Sequence, residues 1–290
     1  MLPQIKKYGI IPNEEYGQNF LVRQDILLYQ IEYAKIQSDD VVLEIGPGIG
    51  NLTELLAQKA QKVIAIEKDT QFKNCLGDLQ RQYKNLEIFW QDAVLFSYPF
   101  FSKVVANLPF KVSLPITFKI LERPFSKAIL LYQKTMAERI CALPGEEKYS
   151  RVSVQMHRLC QPRFLQIIKK SDFYPPPEVD CALIELNKID PLFSIPDNSF
   201  FKNALDYLFF YRESTLKEAC ATLGKKNSPS SLDSCLSRLV HLWKKKVSKI
   251  TPVEFGVITE ALYQYKIKVP GTSDGKKKQA QKIHKGNKKK

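Results

Sequence analysis

Sulfur and imidazole are present in this chain but never grouped for chemistry. The six cysteines, Cys75, Cys141, Cys160, Cys181, Cys220 and Cys235, form no Cys-x-x-Cys pair, and the three histidines are scattered. No zinc constellation is therefore expected, no metal is implied, and the cysteines read as reduced core thiols of a cytoplasmic protein. No stretch approaches the roughly 18 consecutive apolar residues that a membrane-spanning helix needs, and residues 1–17 lack the apolar centre of a signal peptide. A soluble intracellular chain with no membrane partner is the expectation. Acidic charge is also in deficit: 44 Lys and Arg against 30 Asp and Glu leave a net charge of +14 and a pI near 9.4. Phosphate binding would select such a balance, although charge alone identifies no partner. Half of the excess lies in residues 271–290, where eight Lys face one Asp. That tail reads as disordered, and either folds onto an RNA with a salt-sensitive affinity or serves as a solubilising segment of no specific role.

A dinucleotide fingerprint is missing as well. Val41-Val42-Leu43-Glu44-Ile45 has the composition of a buried parallel strand, and Gly46-Pro47-Gly48-Ile49-Gly50 follows it before a helix start at Leu52. Dinucleotide sites want Gly-x-Gly-x-x-Gly. Here position 51 is Asn and the third glycine, Gly50, comes one residue early, so the expected ligand is nucleotide-like but has no pyrophosphate. Val63-Ile64-Ala65-Ile66-Glu67 is a second strand, ending in an acid about 20 residues beyond the loop, where a carboxylate can accept ribose hydroxyls. Leu86 to Asp92 repeats the device, and Asp92 could accept from an adenine amino group. A glycine loop (Gly46, Gly48, Gly50) with Glu67 and Asp92 suits S-adenosylmethionine. Taken singly, each acid is an ordinary polar residue after a strand. Three strand ends in register converge on one ligand only if the strands are neighbours.

Val104-Val105-Ala106 delivers Asn107-Leu108-Pro109-Phe110 to the same sheet edge. An adenine 6-amino group is a poor nucleophile, because its lone pair is delocalised into the ring. An enzyme must hold it in line with the methyl donor and draw it toward tetrahedral geometry. The Asn107 side-chain oxygen and the Leu108 carbonyl can each accept one amino hydrogen, Pro109 stiffens the turn, and Phe110 can stack on the base. A neutral amine meeting a cationic sulfonium disperses charge, so no catalytic His or Cys is needed. Without the upstream pattern, the same four residues are simply a turn before a helix that has Ser113 near its start and Pro115 in its first turn.

The order of these strings resembles the KsgA family of small-subunit ribosomal RNA adenine dimethyltransferases, and most of all its archaeal members. Gly17-Gln18-Asn19-Phe20-Leu21 is similar to the family's N-terminal cofactor motif, Glu44 to Gly50 to its glycine loop, and Asn107 to Phe110 to its target-base motif. Phe173-Tyr174-Pro175-Pro176-Pro177-Glu178-Val179-Asp180 is similar to the segment that closes the catalytic domain. The resemblance runs from about Tyr16 to Leu186. It implies cofactor contacts by Asn19, Leu21, Gly46, Glu67, Asp92 and Asn107, and a target adenine held by Asn107, Leu108, Pro109 and Phe110. The implied reaction is two methyl transfers to each of two adjacent adenosines, in a hairpin loop near the 3′ end of small-subunit rRNA. The implied partner is the immature 30S particle at a late assembly checkpoint; nothing in the residues points to an obligate dimer, so a monomer is expected. Phe110 stands where these enzymes usually carry Tyr, and Phe there also occurs in the related erythromycin-resistance methyltransferases of large-subunit rRNA. Glu178 stands where Lys is usual, and Tyr211 to Lys217 is less basic than the family's corresponding stretch. Two other readings stay open on the sequence: a large-subunit rRNA methyltransferase, and a ribosome assembly factor whose catalysis is secondary.

The fold expected is α/β: a Rossmann-like class I methyltransferase sheet over residues 1–188, a small all-helical domain over 189–270, and the basic tail over 271–290. Phe164 to Ile168 and Ala182 to Leu186 read as an antiparallel hairpin finishing the parallel sheet. Helices are expected at Gln71–Gln82, Ile116–Leu121 and Lys134–Ala142. In the helical domain, Phe201, Ala204, Leu205, Leu208 and Phe209 follow one buried helix face that ends near Gly224. Leu232, Leu236, Leu239, Val240 and Trp243 mark a second stripe. Thr251-Pro252-Val253-Glu254 is a capping box for a third helix carrying Phe255, Ile258 and Leu262.

Overall fold

Short runs of β-branched and aliphatic residues that are buried on both faces can pair in parallel only if helices cross between them. The computed structural model, which describes residues 3–225 and 227–270, is built this way. The tail expected at 271–290 lies outside the described residues. After α1 (Pro3–Tyr8), the two-residue strand β1 (Phe20–Leu21) and α2 (Gln24–Ala34), the chain alternates β2 (Val41–Ile45), α3 (Asn51–Ala57), β3 (Lys62–Glu67), α4 (Lys73–Gln82) and β4 (Leu86–Trp90). It continues through β5 (Lys103–Asn107), α5 (Ser113–Leu121), β6 (Lys127–Gln133) and α6 (Lys134–Cys141). Later come α7 (Arg151–Leu159), β7 (Cys160–Ile168), β8 (Phe173–Tyr174) and β9 (Cys181–Lys188). The seven-stranded sheet has the order β4-β3-β2-β5-β6-β9-β7. Its first five members are parallel, and β9 pairs antiparallel with both β6 and β7. The hairpin read from Phe164 to Leu186 is thus β7 and β9, and β6 is a fifth parallel strand beyond the four in the sequence pattern. A separate small pairing joins β1 to β8, Phe20 opposite Tyr174 and Leu21 opposite Phe173.

The order reverses beside β2: β3 and β4 lie on one side of it and β5 and β6 on the other. In open α/β sheets the crevice at the carboxyl ends of the strands flanking such a reversal is where ligands bind. Those ends are Ile45 and Asn107. Around them Val42, Leu43, Ile45, Val104, Val105 and Ala106 are fully buried, which fixes the backbone that presents the loops.

The second unit has its own core, assembled from α7, α8 (Asn198–Phe210), α9 (Leu216–Ala221), α10 (Pro229–Ser237) and α11 (Pro252–Gln264). Three points differ from the sequence pattern. The helix expected from Phe201 to Gly224 stops at Phe210 and restarts at Leu216. There the Thr215 hydroxyl accepts from the Glu218 N–H and the Glu218 carboxylate accepts from the Thr215 N–H, a reciprocal cap that ends one helix and begins another. The second stripe breaks after Ser237, and a 3-10 turn at Val240–Leu242 leaves Val240 53% exposed while Leu239 and Leu242 are buried. Finally, residues Ala142–Leu159 group with the chain from Pro191 onward, not with the sheet. Tyr149 and Val154 are buried in the helical core, and the Tyr149 hydroxyl donates to the Ile250 carbonyl at 2.9 Å. A single boundary after residue 188 therefore captures only one of the chain's crossings. As expected, α11 is capped by Thr251 and Glu254 and buries Phe255, Ile258 and Leu262. None of the six cysteines is bridged in a disulfide, and five of them are buried.

Candidate active site

The loop leaving β2 turns through Gly46, Gly48 and Gly50, whose φ angles are 71°, 55° and 84°. Gly48 is held to glycine twice over: its φ lies in the left-handed region, and a Cβ there would meet the Phe20 ring at 3.0 Å. Phe20 is itself fixed edge-on against Phe72, with ring centroids 5.9 Å apart.

Glu67 ends β3 directly across from this loop. Its Oε2 accepts the Gly48 N–H at 3.2 Å, and its Oε1 accepts the N–H groups of Lys68 and Asp69, each at 2.8 Å. A carboxylate offers about four acceptor positions, so one remains for a ligand. Burial pushes the Glu67 carboxyl above its ordinary range, while the three backbone donors pull it back. Asp92 follows β4. Its Oδ1 accepts the Val94 N–H at 2.8 Å, and its Oδ2 pairs with Lys68 Nζ at 3.3 Å. Lys68 also lies over the Tyr16 ring, 5.0 Å from its centroid.

From the N-terminal segment, Asn19 donates to the Gly17 carbonyl at 3.1 Å, and the Leu21 carbonyl accepts from Asn51 Nδ2 at 3.3 Å. Asn107 ends β5, and Leu108 is buried. The Pro109 carbonyl is taken up by the Val112 N–H at 3.1 Å as the chain turns into a 3-10 segment, Phe110–Val112. Lys111 Nζ donates to the Glu15 carbonyl at 2.9 Å, tying this segment to the N-terminal one.

Most of these residues border one cavity of about 390 Å3, within the range of small-molecule sites. Of the residues singled out in the sequence, Asn19, Leu21, Gly46, Gly48, Glu67, Asp92, Asn107, Leu108, Pro109 and Phe110 line it. Gly50 does not. A Cβ on Gly50 would sit 2.3 Å from Leu79 Cδ1 and 3.3 Å from Leu76 Cδ2, so its role is close packing of the loop on α4 and it is corrected from a ligand contact to a structural one.

Two lining or neighbouring groups have no role in the motifs, although Glu44 opens the glycine-loop string. Glu44 is buried on β2 with Oε2 unpartnered, and burial, helped by the charge of Glu67, pushes its carboxyl up to about 8. Gln30 on α2 donates from Nε2 to Asn107 Oδ1 at 2.8 Å. The available signal for Gln30 is an amide inside the apolar spacing Ile26, Leu27, Ile31, Ala34. Among the described residues, no group of three or more His, Cys, Asp or Glu could hold a metal ion, and no helix is long and apolar enough to cross a membrane.

Comparison with known proteins identifies the family. The chain matches the ribosomal RNA adenine dimethylase family over residues 12–253. A probable ribosomal RNA small subunit methyltransferase A from Pyrococcus furiosus is 38% identical, with 89% of this chain and 94% of that protein covered. Its counterpart from Thermococcus kodakarensis is 39% identical over 89% and 92%. Among solved structures, a dimethyladenosine transferase from Plasmodium falciparum superposes with a TM-score of 0.75 at 30% identity, covering 87% of this chain and all of that one. The 23S rRNA methyltransferase ErmE, at 24% identity and a TM-score of 0.63 over 85% of this chain and 100% of that one, shares the fold. With a sheet whose reversal point carries the glycine loop and the Asn107 turn, and with relatives alike along nearly their whole length, the chain belongs to the ribosomal RNA adenine dimethylases.

Proposed function

We propose that this enzyme dimethylates the 6-amino group of two adjacent adenosines in a hairpin loop near the 3′ end of small-subunit rRNA, within the immature 30S particle. It works as a cytoplasmic monomer with S-adenosylmethionine as donor. The observation that carries the reading is the meeting of the Gly46–Gly48 turn, Glu67, Asp92 and Asn107–Phe110 on one cavity at the sheet reversal. The names of the archaeal relatives favour the small subunit.

The cavity suits the donor. Its walls carry Glu67 and Asp92, acidic company for a cationic sulfonium, and the buried Glu44 Oε2 is a polar atom still without a partner. The turn at Gly48 leaves room that any side chain would fill. Bound there, S-adenosylmethionine supplies an electrophilic methyl group. Glu67 has one acceptor position left for ribose hydroxyls, Asp92 accepts from the adenine amino group, and Asn19 and Leu21 close the site from the N-terminal side.

For the target base, Asn107 Oδ1 and the Leu108 carbonyl accept the two amino hydrogens. That pulls the nitrogen out of conjugation and aims its lone pair. Phe110 stacks on the extruded ring. Fixing the amine in line is worth several kcal/mol of barrier, and the charge dispersal at the transition state leaves no need for a strong base.

Incubating the enzyme and labelled donor with undermethylated 30S and 50S particles, then digesting the rRNA for mass spectrometry, tests the reading. Dimethyladenosine in the small-subunit digest alone is expected. Label in the large-subunit digest alone would replace this reading with the large-subunit one, which the Phe at position 110 favours, and no label in either would leave an assembly factor.

A further inference from the structure

Helix α2 lies against β5 and β6 and buries Ile26, Leu27, Ile31 and Ala34. Gln30 sits in the same buried stripe with 0% of its surface exposed. An amide in such a place is costly unless both of its ends are hydrogen-bonded. Only one end is: Nε2 donates to Asn107 Oδ1, while Oε1 is buried without a partner. A Met or Leu side chain would occupy similar volume with no polar group to satisfy, so stability alone does not account for glutamine here.

The terminal torsion of an asparagine is broad and two-fold. In one orientation the amide oxygen reaches toward the target base, and in the other the NH2 group meets the amino hydrogens donor to donor. Asn107 Oδ1 has two lone pairs, and the Gln30 N–H engages one of them. We propose that Gln30 is a positioning residue for methyl transfer: it pins the Asn107 amide so that the second lone pair of Oδ1 is held for an amino hydrogen of the target adenine. This rests on the reading of Asn107 given above. Gln30 touches neither substrate nor donor; it acts through Asn107 alone.

The test is a double-mutant cycle on the full chain with 30S particles, run under single turnover with labelled donor so that slow rates can be read. Gln30→Met should lower the methyl-transfer rate about 10-fold, since a small misplacement of a reacting group is costly. KM for the particle and the dissociation constant of S-adenosylmethionine should stay within about 2-fold, the signature of an interaction used at the transition state, and Tm should hold or rise. In the Asn107→Ala background the same change should alter the rate by less than about 2-fold, because its target is gone. Gln30→Asn, which keeps the amide but falls short of Asn107, should reproduce the loss and serves if Gln30→Met does not fold. A Gln30→Met or Gln30→Asn enzyme with the full rate, or a loss undiminished in the Asn107→Ala background, overturns the proposal. Full activity in Asn107→Ala itself would instead overturn the reading of Asn107. An inactive Asn107→Ala beside a fully active Gln30→Met would leave that reading standing and remove only the role of Gln30.

Discussion

The Gly48 N–H donates to Glu67 Oε2 at 3.2 Å, so the loop proposed to cradle the donor is fastened to the carboxylate proposed for its ribose. Ligand contact and loop shape cannot be altered independently at this point. Glu67→Gln replaces one acceptor oxygen by an NH2 group that must face a backbone donor on either side of the amide. Hydrogen bonds to charged groups are worth about 1.5–3 kcal/mol, so S-adenosylmethionine affinity should fall roughly 10- to 100-fold, as read by calorimetry.

The three-glycine turn should separate into two kinds of position. Gly48→Ala puts a methyl group 3.0 Å from the Phe20 ring beside the cavity and should weaken donor binding roughly 5- to 30-fold, as the cavity-lining loop shifts to relieve a left-handed penalty of about 1–2 kcal/mol. Gly50→Ala collides with Leu79, away from the cavity. It should lower Tm while donor affinity, corrected for the folded fraction, changes little. Equal losses of affinity in the two variants would return Gly50 to the ligand.

Glu44 makes stability depend on pH in a stated direction. Its folded carboxyl is raised to about 8 from an ordinary value of 4.5, so the folded chain holds a proton that the unfolded chain has released. This group's contribution is fully present below pH 4.5. It declines as pH rises from there to about 8, at up to ~1.4 kcal/mol per pH unit. Glu44→Gln should flatten the fall of Tm across pH 5 to 8 in the donor-free protein, measured by scanning calorimetry at each pH.

Phe110 offers a ring face and no hydroxyl. Phe110→Leu should lower kcat/KM for the RNA particle by roughly 10- to 100-fold, in line with about 1–3 kcal/mol for stacking one base, and Phe110→Tyr should keep most of it. Donor affinity, measured separately, should be little changed in both.

What the sequence made legible is what backbone chemistry writes into short strings: apolar runs ending in Gly46, Glu67, Asp92 and Asn107. Each such end needs only its own neighbours to be recognised. Gln30 was hidden because α2 exposes Leu28 (47%) and Tyr29 (45%) on its outer side and starts without a side-chain cap, so no clean stripe makes the buried amide stand out. Gly50 looked like part of the cradle because its left-handed turn is common to both uses, and only the position of Leu79, 29 residues on, tells them apart. The break between α8 and α9 was written in Thr215 and Glu218, but inside a run whose apolar spacing overrides a cap to the eye. Tyr149 and Val154 belong to a core formed by residues far along the chain, and no local pattern reports that.

The detour of Ala142–Leu159 constrains how this protein can be cut. A fragment starting at Pro191 would leave the Ile250 carbonyl without the Tyr149 hydroxyl and a hole where Val154 belongs, while a fragment ending before Ala142 would forfeit β7 and β9 from the sheet. Neither half can be made by a stop codon or an internal start. Exchanging the helical part with that of a relative requires three junctions at once, at 141/142, 159/160 and 190/191, with β7 and β9 kept between the last two.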